Sequence, residues 1–296
     1  MRHILSVDVE DYFQVEAFSD IIPRDSWERW ETRVVKNTLK ILEIFEGFSV
    51  RATFFFVGWI AEKFPELVRE VHRRGHELGC HSYWHRPVFT LSPSTFRSDL
   101  RQNRDVLEQI SGERVLGYRA PSWSITKQSL WALEILAEEG FAYDSSIYPI
   151  RHDIYGIPGA ARFPYRHQQA GQLPEFPPTT IRFAGLNLPA AGGGYLRICP
   201  VWYTEWAFRQ AARCKERVVV YLHPWEIDPE QPRIPGAKLR SRFRHYTNLR
   251  GMEERISRLL RKYAFQSFAD LLSTVTVKPA QQIDPKLAGA VSGASA

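Results

Sequence analysis

Residues 3–9 read His-Ile-Leu-Ser-Val-Asp-Val, and the chain continues Glu10-Asp11-Tyr12-Phe13. An apolar run this short, stopped by acids, reads as a buried strand whose carboxyl end carries Asp8, Glu10 and Asp11. The arrangement recurs along the chain. A helix is predicted from Val34 to Phe45, where Val34, Val35, Leu39, Leu42 and Phe45 fall at helical spacing and Gly47 follows. Ala52–Val57 (ATFFFV) is too short and too aromatic for anything but a core strand. Pro65–Arg74 reads as a helix with Pro in its first turn and Gly75 past its end, and HELGCH, ending at His81, as a short strand. A helix over Pro93–Ile110, a strand near Val115–Tyr118 and a helix over Thr126–Glu139 closed by Gly140 extend the alternation. Between about Pro149 and Pro200 the chain turns rich in Pro, Gly and aromatics, which reads as irregular structure with short strands. A helix over Trp202–Arg213, a strand Arg217–Leu222 (RVVVYL) and a helix over Asn248–Tyr263 follow.

Repeated βα units predict an α/β fold with a parallel sheet and helices outside it, and in such folds ligands bind at the carboxyl ends of the strands. Asp8, Glu10 and Asp11 follow the first strand, and His81 and His85 the third. Arg119, Asp144 and His223 each follow a later one, so all are expected on one rim.

Composition narrows the class. At 296 residues, 44% hydrophobic and 13% aromatic, the chain can bury a large core as one domain with elaborations. The net charge of +6 is thinly spread, with one denser run at Lys238–Arg250, and no nucleic-acid motif accompanies it, so a solvated basic face is expected and nucleic acid is not. Cys80, Cys199 and Cys214 are far apart, odd in number and without CxxC spacing, which predicts reduced thiols. The first apolar run is interrupted by acids too early for a secretory signal, and no stretch approaches the ~18 apolar residues of a membrane span. A cytoplasmic protein is the expectation, with a disordered tail over 277–296.

His81-Ser82-Tyr83-Trp84-His85 sets two imidazoles four residues apart, on one face if the segment turns helically. Alone, the pair reads equally as solvated or capping histidines. The acids Asp8, Glu10 and Asp11 at a neighbouring strand end shift the balance, because two histidines and a carboxylate make a facial set with positions open for water and substrate. His223, between an apolar strand and Pro224, is pinned at a strand end, as either a site residue or a hydrogen-bonded core histidine. Arg119 and Asp144 sit beside strands where burial demands partners, and could pair with each other. The glycines before Tyr195 match no phosphate loop, since no Lys-Ser/Thr follows.

Five segments in order now carry a resemblance: SVDVEDYF, HSYWH, YRAPSWS, YDSS and YLHP. From about Ile4 to Trp225 the chain resembles the NodB-homology polysaccharide deacetylases, carbohydrate esterase family four. More narrowly, SVDVEDYFQV, GYRAPSWSI, GGGYLRICP and YLHPWEIDP are similar to a subgroup linked to bacterial exopolysaccharide loci, with an extra C-terminal segment. The resemblance implies a distorted (β/α) barrel, a bound divalent metal, usually Zn2+, and hydrolysis of N-acetyl groups on GlcNAc-containing glycans. Carried over, His81 and His85 would be metal ligands, Asp8 the general base, Arg119 the residue orienting it, His223 the general acid and Asp144 its partner. Where the family has adjacent aspartates, this chain has Asp8-Val9-Glu10-Asp11. Strand alternation puts Asp8 and Glu10 on one face, so Glu10 is the expected third ligand and Asp11 the alternative.

On this reading residues 1–225 form the catalytic domain and 226–276 a C-terminal extension packed on the barrel. The oxyanion donor is expected to be the amide of Tyr12 or Phe13, and the substrate-binding candidates are Tyr12, Pro121, Trp123 and Trp225. A glycan is the expected partner, and the basic run near Arg240 could touch a membrane holding lipid-linked glycan. Rival readings are another amidohydrolase on this scaffold, acting on a cyclic amide or peptidoglycan, and a catalytically silent glycan-binding protein. The oligomeric state is not specified.

Overall fold

In the computed structural model, which describes residues 1–168 and 170–274, every position of the first strand is buried. The expected tail at 277–296 lies outside the described residues. The strands are β1 (His3–Val9), β2 (Thr53–Phe56), β3 (Glu77–Cys80), β4 (Gly117–Tyr118), β5 (Tyr143–Asp144), β6 (Tyr165–His167), β7 (Leu173–Glu175), β8 (Thr180–Phe183), β9 (Leu186–Pro189), β10 (Val219–Leu222) and β11 (Phe265–Gln266). The helices are α1 (Val34–Gly47), α2 (Gly58–Lys63), α3 (Pro65–Arg73), α4 (Pro93–Ser111), α5 (Trp131–Glu138), α6 (Gly193–Ile198), α7 (Val201–Arg213), α8 (Leu239–Tyr246), α9 (Met252–Lys262) and α10 (Phe268–Leu272).

The main sheet runs β10-β1-β2-β3-β4-β5-β7-β6, parallel throughout except for the antiparallel edge pair β6–β7. β11 adds to the start of β1, opposite His3 and Ile4. Beyond β10, Tyr221 N–H donates to Ala191 O (3.2 Å), so the segment before α6 lies along that edge of the curled sheet. β8 and β9 form a separate hairpin. The architecture is the expected α/β one, a curled parallel sheet short of a closed barrel.

The pleat of β1 divides its side chains between two regions. Leu5, Val7 and Val9 join the large core under the helices, whereas Ile4 packs with Phe55, Tyr143, Phe176, Val219, Phe268 and Leu271 inside the curl. Ser6 and Asp8 continue the inner face upward. Phe55 and Tyr143 fit because their inner neighbours are glycines: a Cβ on Gly79 would lie 2.4 Å from the Phe55 ring, and one on Gly117 2.0 Å from Tyr143. Phe268 and Leu271 of α10 close the floor, so the end of the described chain is part of the barrel core.

Some elements depart from the sequence reading. α2 precedes α3 without having been anticipated, and the basic run 238–250 contains α8. β4 keeps only Gly117 and Tyr118 of the expected strand, and the helix expected from Asn248 begins as a 3-10 turn before α9. Among the described residues, no helix is long and apolar enough to cross a membrane.

Candidate active site

At the carboxyl ends of β1 and β3, Glu10, His81 and His85 are all buried, and one donor atom from each lies within 4.8 Å of the others. Glu10 Oε2 is 2.6 Å from His85 Nε2. His81 Nδ1 lies 2.7 Å from the carbonyl of Arg119, which fixes the tautomer with its proton there and leaves the lone pair of Nε2 available to a metal. Burial lowers the His81 imidazolium to about 4, so the ring is neutral at neutral pH, the form a metal ligand requires. Burial alone would raise the Glu10 carboxyl, but His85, His223 and His81 together hold it below the usual carboxylate range. Two imidazoles and an ionised carboxylate with open positions suit a divalent metal such as zinc.

The histidines do not meet by a helical turn. Residues 81–87 form a loop in which Ser82 (φ 61°) and His85 (φ 51°) are left-handed, a conformation that needs support in non-glycine residues. The support is visible on three sides. Asp99 of α4 accepts from the amides of Tyr83 (2.9 Å) and Trp84 (3.2 Å). Arg24 donates to the carbonyls of Trp84 (2.7 Å) and His85 (2.8 Å). The amides of Gly58 and Trp59 donate to the carbonyls of Ser82 and Tyr83 (3.0 Å each), an approach only glycine permits at 58, since a Cβ there would lie 2.5 Å from the Tyr83 ring.

Asp8 lies on one flank. Its Oδ1 accepts from Arg119 Nη1 at 2.6 Å, and Arg119 also reaches Ser6 Oγ (2.8 Å), Ser145 O (3.2 Å) and Ser145 Oγ (3.0 Å) while lying 4.4 Å above the Phe55 ring. The buried guanidinium thus has partners on every side, the condition for burying a charge without large loss. Asp8 Oδ2 stays free of Arg119 and faces His223 Nε2 at 3.9 Å. His223 occupies the other flank, with Nε2 also 3.6 Å from Glu10 Oε1. It is the most open of these groups, with 16% of its side chain exposed. Burial would lower its imidazolium, but Glu10, Glu226 and Asp8 raise it to about 9.

Asp144 is not the partner of His223. Alternation along β5 sends Tyr143 inside the curl and Asp144 to the opposite face, where Ser146 Oγ donates to its Oδ1 (2.5 Å) and Glu175 stands beside it. Burial and then Glu175 raise the Asp144 carboxyl, and burial raises Glu175 to about 7. Nor does Asp144 pair with Arg119, whose carboxylate is Asp8. The His223 partner is Glu226, three residues on: its Oε2 accepts from the His223 amide (2.9 Å) and lies 3.1 Å from Nδ1. Sequence reasoning missed Glu226, although an acid three residues after a strand-end residue is a capping-box spacing.

Asp11 serves α1 instead of the histidines. Its Oδ2 accepts from the amides of Arg33 (2.8 Å) and Val34 (3.0 Å), two donors without intrahelical partners, and Oδ1 accepts from Tyr12 N–H (2.9 Å). The Tyr12 amide is therefore engaged, leaving Phe13 as the remaining oxyanion donor of the two expected. Asp11→Ala is expected to lower stability by about 1–2 kcal/mol, as loss of a helix cap does, and to leave metal content unchanged. Denaturant unfolding with elemental analysis checks this, and loss of metal would return Asp11 to the ligand set.

The four substrate-binding candidates are all buried. Trp123, in the turn at Pro121, packs edge-on against Tyr148 and Tyr221. Tyr12 packs edge-on against Phe13. Trp225 stacks with His223 (5.0 Å) and His245 (4.2 Å) and donates Nε1–H to Glu10 Oε1 (3.1 Å), touching His223 and Glu10 at once. None offers the open ring face expected of a sugar platform.

Residues 25–140 match the polysaccharide deacetylase family model. That match lies in the N-terminal part and covers less than half of the chain. Residues 145–273 match a domain of unknown function, DUF3473, so the two matched segments lie on either side of β5. Among relatives of the deacetylase segment, a peptidoglycan-N-acetylglucosamine deacetylase of Bacillus cereus is 33% identical over 98 residues, 33% of this chain and 36% of that protein. A peptidoglycan deacetylase of Helicobacter pylori is 28% identical over 108 residues, 36% of each. The matched stretch thus spans about a third of these curated relatives. A solved structure from Mycobacterium smegmatis, named for the same family, superposes over 95% of this chain and 94% of its own with a TM-score of 0.63 at 18% identity, a likeness of fold.

Proposed function

We propose that this chain is a polysaccharide deacetylase that hydrolyses N-acetyl groups on a GlcNAc-type glycan, as polysaccharide or lipid-linked precursor. The observation that carries the reading is the Glu10–His81–His85 donor set with a carboxylate held by an arginine on one flank and a histidine held by a glutamate on the other. A divalent metal held by Glu10, His81 and His85 would polarise the amide carbonyl and acidify water.

The chain's own residues handle the protons. Asp8, with Oδ1 pinned by Arg119, keeps Oδ2 to accept a proton from the attacking water. The oxyanion formed at the acetyl carbon can be met by the amide of Phe13. As the C–N bond breaks, the departing amine needs a proton, and His223 can give one from Nε2, because Nδ1 is turned to Glu226. The products are acetate and a free amine. With an imidazolium raised to about 9, His223 is charged at neutral pH and loses the proton as pH rises through that value, so the rate is expected to fall on the alkaline side.

The peptidoglycan deacetylases among the relatives favour a second substrate, peptidoglycan itself. Released acetate, measured from chito-oligosaccharides of graded length and from purified peptidoglycan, separates the two. Acetate from neither would overturn the deacetylase reading. Loss of the alkaline limb in His223→Ala is expected, and an unchanged limb would reassign His223 as structural.

A further inference from the structure

We infer that Glu226, held in place by Arg197, is the positioning residue of the acid His223, so that the chain's second segment, DUF3473, supplies that support to the deacetylase centre. The inference rests on the deacetylase reading above and adds to it a role for the segment of unknown function.

Glu226 is fully buried, and both of its oxygens are committed. Oε2 takes the His223 amide and faces Nδ1, while Oε1 accepts from Arg197 Nε at 2.7 Å. With Nδ1 turned to Glu226, the imidazole edge facing Asp8 and Glu10 has to be Nε2, and Trp225, stacked at 16° to the ring, limits its tilt. Orientation and tautomer are thereby set from behind.

Arg197, also buried, is fixed in turn by carbonyls at and just past the end of α8: His245 O (3.0 Å) and Thr247 O (2.8 Å) on Nη1, and Arg244 O (2.9 Å) on Nη2. Helix C-terminal carbonyls lack intrahelical partners, and the guanidinium fork satisfies them. His245 stacks on Trp225 from the same helix and binds Gln231 Oε1 through Nε2 (2.7 Å). All of these residues lie within 145–273.

Glu226→Gln is the sharpest variant because it keeps the shape. A carboxamide has one acceptor oxygen, whereas Arg197 and His223 each need an acceptor, so whichever way it turns one of them faces an N–H2. Two substrates read the outcome. An N-acetyl chito-oligosaccharide expels an amine that must be protonated, while 4-nitrophenyl acetate expels a phenolate that needs no proton. For Glu226→Gln the expected result is a kcat on the amide lower by roughly 10–100-fold with KM little changed, and an ester rate close to wild type. Should the lone buried Arg197 charge unfold that variant, the Arg197→Met, Glu226→Gln pair removes both charges and is expected to show the same selective loss. Equal losses on both substrates, or no loss on either, would overturn the role of Glu226. A wild-type enzyme that cleaves the ester but no N-acetyl glycan would overturn the deacetylase reading and this inference with it.

Discussion

Asp8→Asn is expected to keep the metal and most of its substrate affinity while losing on the order of 10²–10⁴-fold in turnover, the contribution of general acid–base catalysis. The two oxygens of Asp8 have separate duties. Oδ1 accepts from Arg119, and an asparagine oxygen can continue to do so. Oδ2, which faces His223 Nε2 at 3.9 Å, becomes an N–H2 that cannot take a proton. Arg119 keeps Ser6 and Ser145 as partners, so the fold should survive although a buried charge has lost its counterpart. Initial rates of acetate release, with elemental analysis and an unfolding midpoint on the same preparation, check the result. Turnover within about 10-fold of wild type would remove Asp8 from the base role.

The second large effect is on the donor set. Replacing both His81 and His85 by alanine leaves Glu10 as the one remaining donor of the three, and the expected result is loss of bound divalent metal together with activity. Wild-type protein is expected to hold about one metal per chain. Elemental analysis after gel filtration compares the two, and equal metal in wild type and variant would show that the histidines are not ligands, whatever the activity. Metal content is the readout that matters here, since loss of rate alone could follow from disturbing the 81–87 loop.

Much of the fold could be read from the chain because its strands are short, apolar and bounded by clear helix ends, as at β1, β2 and β10. Their parallel order put Asp8, Glu10, His81, Arg119 and His223 on one rim, and the structure brings those residues together. The errors came where the sequence signal was local and the determinant was not. Asp144 follows a strand as the others do, but alternation along the two-residue β5 turns it away, and nothing in the YDSS text reveals which face it takes. Glu10 and Asp11 are chemically near-equivalent neighbours, distinguished only by the distant amides of Arg33 and Val34, which claim Asp11. The aromatic rings near the site were legible as residues but not as surfaces, because their burial depends on His245, Tyr148 and Tyr221, each contributed from elsewhere in the chain.

The place of β1 between β10 and β2 bears on how the centre comes into being. Ile4 pairs with Val219 on one side and Gln266 on the other, and the Trp225–Glu10 bond spans 215 residues. Closing so long a loop adds little to the equilibrium cost, since each doubling of length costs only about 0.6 kcal/mol. Its weight falls on kinetics: topologies dominated by distant pairings fold slowly, and an unpaired strand edge is open to wrong partners while it waits. During synthesis, the strand carrying Asp8 emerges well before its β10 neighbour. Asp8 and His223 therefore meet only after the long stretch of chain between them has been made, and no intermediate still lacking β10 can hold the two together.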